Sequence, residues 1–131
     1  MPMPELDFPA IGDTVTQDTI DAYAELSGDF NPLHVDLEAA MASEFGGIIA
    51  HGPIALQAFF RSATTWLDVE AMPRGSEVQV TYRHPVRPGD RIVCRVRDLR
   101  TEDGRIHLDA ECVNQHDVPV LSVRASFAAD A

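Results

Sequence analysis

An aspartate and a histidine five residues apart, Asp29 and His34, lie in the segment Ser27-Gly28-Asp29-Phe30-Asn31-Pro32-Leu33-His34. A carboxylate is an acceptor and a weak base, and imidazole is the side chain that titrates nearest neutral pH. If the chain folds the two together, they can hold one water and move its protons. Gly28 and Pro32 fix the backbone around them, so the loop can be rigid. The same residues also have a plainer reading, an aspartate bonding to backbone at a helix end and a histidine packed in a loop. A second feature is Ala50-His51-Gly52-Pro53. A helix that begins here points free N–H groups and a partial positive charge outward. Gly52 has no side chain, so a substrate oxygen can approach its amide, the geometry of an oxyanion hole. The plainer reading of this stretch is a tight entry into a helix. His51 stands next to Gly52, either reaching the site or held by backbone.

The elements that must position these groups fall into two halves. Residues 14 to about 67 read as helices and loops. Thr16 can cap a helix that carries Ile20, Tyr23 and Ala24 at helical spacing and stops at Gly28. An irregular loop follows to His34. Asp36 can cap a second short helix over residues 37–43, ended by Gly46-Gly47. Pro53 suits the first turn of a third helix running to Leu67. The first two turns of that helix are apolar nearly all round, which demands burial on most sides. Downstream the period switches to two. Val78, Val80 and Tyr82 alternate with polar residues, as do Ile92, Cys94 and Val96, then Ile106, Leu108, Ala110 and Cys112, then Leu121, Val123, Ala125 and Phe127. Pro88-Gly89-Asp90 and Asp103-Gly104 mark turns. Four antiparallel strands with one apolar face need a cover, and the apolar helix is the obvious one. The expected fold class is α+β, a curved antiparallel sheet wrapped around a central buried helix.

Length and charge narrow the function classes. The 131 residues suit one domain, expected over 1–131 with its core at about 11–128. The net charge is −11, and all ten basic residues are arginines. Residues 1–60 carry 10 acidic residues and no Arg or Lys. A nucleic-acid binder needs a basic footprint that this half lacks, and an anionic membrane would be repelled. No apolar stretch is long enough to span a bilayer, and the first residues lack the basic and apolar regions of a secretory signal. The expected location is the cytoplasm, with Cys94 and Cys112 reduced and buried. No Cys/His spacing suggests a metal site, and no cofactor or metal is expected.

Residues 27–36, Ser-Gly-Asp-Phe-Asn-Pro-Leu-His-Val-Asp, closely resemble the hydratase motif of the MaoC-like hydratases. These are the (R)-specific enoyl-CoA hydratase group of the hotdog fold. Residues 45–52, Phe-Gly-Gly-Ile-Ile-Ala-His-Gly, resemble the segment that enters that family's central helix. Residues 85–90, Pro-Val-Arg-Pro-Gly-Asp, resemble its strand-end turn, a weaker motif. The resemblance covers roughly residues 11 to 128. It implies a hydro-lyase that adds water to a trans-2-enoyl thioester, giving the (R)-3-hydroxyacyl thioester, or runs the reverse dehydration. Asp29 and His34 would be the catalytic pair, and the Gly52 amide would receive the thioester carbonyl. Asn31 would shape the loop. His51, Phe59, Phe60, Arg83 and Arg87 would complete the substrate site, with arginines meeting the phosphates of a CoA. The substrate would be an acyl-CoA or acyl-carrier-protein thioester, and the assembly a homodimer or higher homo-oligomer. Phe60 stands where family members often carry a serine, with Ser62 two residues on. Two other readings remain open. One is a hotdog thioesterase, weakened by the lack of any acidic residue from 54 to 67. The other is a non-catalytic partner subunit of a hetero-oligomeric hydratase.

Overall fold

The computed structural model describes residues 8–128. The first residues, on which the secretory-signal reading rests, lie outside that range. Helix α1 spans Gln17–Ser27, with the Thr16 hydroxyl accepting the Thr19 N–H. It ends at Gly28, whose φ of 78° is the left-handed conformation a glycine adopts without strain. Helix α2 is Pro32–Val35, α3 is Leu37–Met41, and α4 is Gly52–Leu67. Strands β1 (Asp13–Thr14), β2 (Glu77–Tyr82), β3 (Arg91–Glu102), β4 (Arg105–Val113) and β5 (Pro119–Ala128) make one sheet in the order β1-β3-β4-β5-β2. Every pairing is antiparallel.

Local chemistry explains most of these boundaries. Asp103 and Gly104 both have positive φ (53° and 74°), as a two-residue hairpin loop between β3 and β4 requires. The ladder slips between Val96 and Asp98 on β3 and between Cys112 and Val113 on β4. Such bulges bend a sheet and sharpen its twist. The bent sheet presents Ile92, Cys94, Ile106, Leu108, Cys112, Leu121, Val123 and Phe127 to the inside, all buried. Helix α4 fills that concavity with Ala55, Ala58, Phe59, Ala63 and Leu67. Its alanines let the helix approach the strands closely, and the full burial of Phe59 contributes on the order of 2–3 kcal/mol of hydrophobic transfer. Trp66, at the far end of α4, packs its ring 5.5 Å from that of Phe8. This is the hotdog fold that the motifs implied. Among the described residues no helix is long and apolar enough to cross a membrane.

Three expectations are corrected. The sheet has five strands, because residues 13–14 pair with Ile92 and Arg91. A two-residue strand carries no periodicity to read. The segment from Asp29 to His34 is not loop throughout, since Pro32–Val35 form a helical turn capped by the Asn31 side chain. The helix after Asp36 stops at Met41, short of residue 43. There the Ser43 hydroxyl donates to the Ala40 carbonyl and starts a run of turns to Gly47. Cys94 and Cys112 are buried free thiols, as expected, and they face each other across the β3–β4 ladder.

Candidate active site

The turn at Gly28 delivers the chain into Asp29, and short-range bonds then set that residue's orientation. Ser27 Oγ accepts the Asp29 N–H at 3.1 Å and donates to the Tyr23 carbonyl at 2.7 Å. The Asn31 N–H donates to Asp29 Oδ1 at 3.2 Å, which leaves Oδ2 free. Asn31 in turn accepts the Leu33 N–H at 3.0 Å, and Pro32 takes the first helical position, where a missing N–H costs nothing. This one-turn helix raises His34 opposite Asp29. Its backbone is held by Gln17 Nε2 at 3.0 Å, and the Leu33 carbonyl accepts the Ile49 N–H at 3.1 Å.

His34 Nδ1 lies 2.7 Å from the Ile49 carbonyl oxygen. A carbonyl only accepts, so Nδ1 carries the hydrogen and Nε2 of the neutral ring is bare. That bare nitrogen lies 3.9 Å from Asp29 Oδ2. A water about 2.8 Å from each atom fits the gap, in hydrogen-bond contact with both. His34 is 12% exposed and lines a recess, whereas Asp29, 52% exposed, is not among the residues that bound it and leaves the pair open to solvent on the carboxylate side.

The recess is a cavity of about 420 Å³ bounded by His34, Phe45, Gly52, Tyr82, Arg83 and Val86, among others. Gly52 opens α4, and its amide has no acceptor among the described residues. A free N–H at a helix start, beside a bare imidazole nitrogen, is what an enolate oxygen and an attacking water require. Tyr82 was expected on the inward face of its strand. It instead stands half exposed over Gly52, where its ring comes closer than a Cβ at that position would allow. Burial and the neighbouring Tyr23 push its phenol above the ordinary range, so it remains a donor at the cavity wall. The end of a strand carries no sequence signal for this role.

The other expected site residues are placed as follows. His51 is buried, donates from Nε2 to the Asp29 carbonyl at 2.9 Å and stacks on the His34 ring at 3.9 Å. Arg83 lines the cavity with its Nε on the Ser122 hydroxyl at 2.5 Å. Arg87 donates to the Phe45 carbonyl at 2.6 Å and so clamps the turns that lead into α4. Phe59 is fully buried in the core, and Phe60 packs edge-on against it; neither is among the residues bounding the cavity. The Ser62 hydroxyl is also buried, 3.4 Å from the Ile11 N–H. Asp29, His34 and His51 bring ligand atoms within 4.8 Å of one another. The two imidazoles, however, are stacked and only 29° apart in plane. Their in-plane lone pairs therefore meet far beyond a metal–nitrogen distance of about 2.0–2.1 Å. A second cavity of about 440 Å³ lies between α1 and α4, with the Asp13–Arg61 ion pair (2.9 Å) on its wall, and holds no candidate catalytic group.

A hotdog domain with a carboxylate–imidazole pair near the start of its central helix defines a structural class. Within that class the chain belongs to the MaoC like domain family, which it matches over residues 5–118. It is 32% identical over 110 residues to a fatty acid synthase subunit beta of Schizosaccharomyces pombe, covering 82% of this chain and 5% of that one. It is 27% identical over 110 residues to the mitochondrial 3-hydroxyacyl-[acyl-carrier-protein] dehydratase of Arabidopsis thaliana, covering 81% of this chain and 64% of that one. The chain thus spans a small fraction of the fatty acid synthases it matches. Its backbone superposes on an (R)-hydratase from A. caviae with a TM-score of 0.74, at 23% identity and 92% coverage of both chains, a likeness of fold.

Proposed function

We propose that the protein hydrates trans-2-enoyl thioesters to (R)-3-hydroxyacyl thioesters, or catalyses the reverse dehydration. The observation that carries this reading is the 3.9 Å gap between His34 Nε2 and Asp29 Oδ2 at a cavity that also presents the free Gly52 amide. The thioester carbonyl accepts the Gly52 N–H, which with the α4 dipole stabilises the charge that develops on that oxygen. One such donor is worth about 3–4 kcal/mol in a barrier. A water in the gap gives one proton to His34 Nε2 while its oxygen bonds the β carbon, and Asp29 orients it through the second O–H. His34 then returns that proton to the α carbon, so the atoms of one water are added across the double bond. The Nδ1–H bond to Ile49 steadies the ring while it carries the proton.

Arg83 on the cavity wall offers a cation to the phosphate of the thioester's carrier, whether CoA or a carrier protein. The free thiols Cys94 and Cys112 fit a reducing compartment, the cytoplasm. The open edge of the sheet fits a homodimer, and a dimeric mass at micromolar concentration by light scattering tests that.

The deciding experiment follows the ultraviolet absorbance of a short 2-enoyl-CoA. Wild type is expected to remove it, with no free thiol released, while Asp29→Asn and His34→Ala each lose at least a hundredfold in rate. Chiral separation of the product tests the (R) assignment. Thiol release would mean a thioesterase. Inertness toward short, long and branched enoyl thioesters would mean a non-catalytic subunit.

A further inference from the structure

His51 is a buried titratable side chain that takes no part in the chemistry above. It occupies the cap position of α4 yet makes no side-chain capping bond to it. Its Nε2–H goes instead to the backbone carbonyl of Asp29 at 2.9 Å. One face of its ring lies on His34, with centroids 3.9 Å apart, and Tyr23 packs against it at 4.7 Å. Because a carbonyl only accepts, Nε2 holds the hydrogen and Nδ1 is bare. That Nδ1 is buried and finds no hydrogen-bond partner among the described residues. A phenylalanine would fill the same space and leave no orphaned nitrogen, so what histidine adds is the bond to Asp29.

We infer that His51 is a positioning residue, tying the Asp29 backbone to the His34 ring and so setting the gap in which the water is held. Its ring thus bonds one member of the pair and stacks on the other. Asp29 is half exposed and is otherwise held only through Ser27 and Asn31, its neighbours in sequence. His51 links that exposed turn to the start of α4. Because α4 also carries Gly52, the same link fixes where the water stands relative to the carbonyl. The kinetic part of this inference rests on the hydratase reading, and the structural part does not.

Two variants separate the donor from the ring. His51→Phe keeps an aromatic surface against His34 and removes the donor. His51→Gln removes the ring and keeps an N–H that reaches the Asp29 carbonyl. Hydration kcat is expected to fall about a hundredfold in His51→Phe with KM within about threefold, the signature of a misplaced reactive group. His51→Gln is expected to recover at least tenfold of that loss. Exchange of the Asn31 amide, which bonds Asp29 Oδ1, is expected to quicken about tenfold in His51→Phe and to stay near wild type in His51→Gln. Imidazole nitrogen spectra of the wild type at a pH where the rings are neutral should show hydrogen on Nδ1 of His34 and on Nε2 of His51.

Equal kcat in both variants and the wild type would overturn the inference. So would equal losses in both that track a common drop in melting temperature, which is what a purely structural histidine would give. If His51→Phe does not fold, the Gln variant and the wild-type tautomers decide, and the opposite tautomer on either ring overturns it. A wild type without hydratase activity would remove the functional reading, and amide exchange would then decide the positioning role.

Discussion

A Cβ at position 52 would lie 2.6 Å from Cε1 and 2.8 Å from Cζ of Tyr82. Nothing but glycine fits there while the tyrosine ring stays against the helix start. Gly52→Ala is therefore expected to push the ring outward. Tyr82 is half exposed, so the stability cost should stay within about 1–2 kcal/mol by urea unfolding, while hydration falls at least tenfold. Adding Tyr82→Ala should restore the stability and leave the rate low, because the amide approach is then open but the wall donor is gone. The double variant would speak against this if it regained full rate. At this scale Asp29, His34 and Gly52 were singled out through the motif's resemblance, since their types and spacing alone fit the plainer readings equally; the structure brings His34 Nε2 within 3.9 Å of Asp29 Oδ2. The placing of Phe59 was not legible, because which face of a buried helix meets a cavity depends on how the helix is rotated in the sheet. Tyr82 was not, because only the tertiary approach of a strand end to a helix start gives it a role.

At the scale of elements, the strongest local signals matched the structure. Thr16 and Gly28 bound α1, Gly52-Pro53 opens α4, and Asp103-Gly104 turns β3 into β4, each for a reason internal to a few residues. Helix α2 carried a signal in Asn31-Pro32, a cap followed by a first-turn proline, but four residues show no period. The β3–β4 ladder also places Cys94 opposite Cys112. The hydrogen bond to Cys112, together with burial, pushes the Cys94 thiol far above its ordinary value of 9.0. Its pKa is thus raised in the folded state, so the associated stability is whole below about pH 9 and is lost as pH rises beyond it. Each linked proton is worth about 1.4 kcal/mol per pH unit. Unfolding free energy by urea is expected to decline by about 1 kcal/mol from pH 9 to 10, approaching that slope only above pH 10, and Cys94→Ala should flatten the decline. An unchanged slope in the variant would assign the decline to other groups.

For the molecule as a whole, strand β2 pairs with β5 on one side, and among the described residues no strand pairs with its other edge. Six residues without a proline are a ready template for another strand. A second copy pairing there would place two cavities near one interface, since Tyr82 ends that strand. Successive N–H groups of a strand alternate sides, so of Val78→Pro and Gln79→Pro one removes an edge donor and the other a donor to β5. One variant is expected to become monomeric by light scattering with its melting temperature nearly unchanged, and the other to lose stability. Wild type that is monomeric at tens of micromolar would exclude the pairing. The position of Trp66 has a separate, practical consequence. It is the only tryptophan in the chain, and it sits at the opposite end of a sixteen-residue helix from Gly52. At about 1.5 Å per residue, roughly 20 Å of helix lies between the emitting indole and Gly52. Tryptophan emission will therefore report the seating of the central helix against Phe8 rather than events at the cavity, so folding can be followed in the same cuvette in which a separate absorbance signal follows turnover.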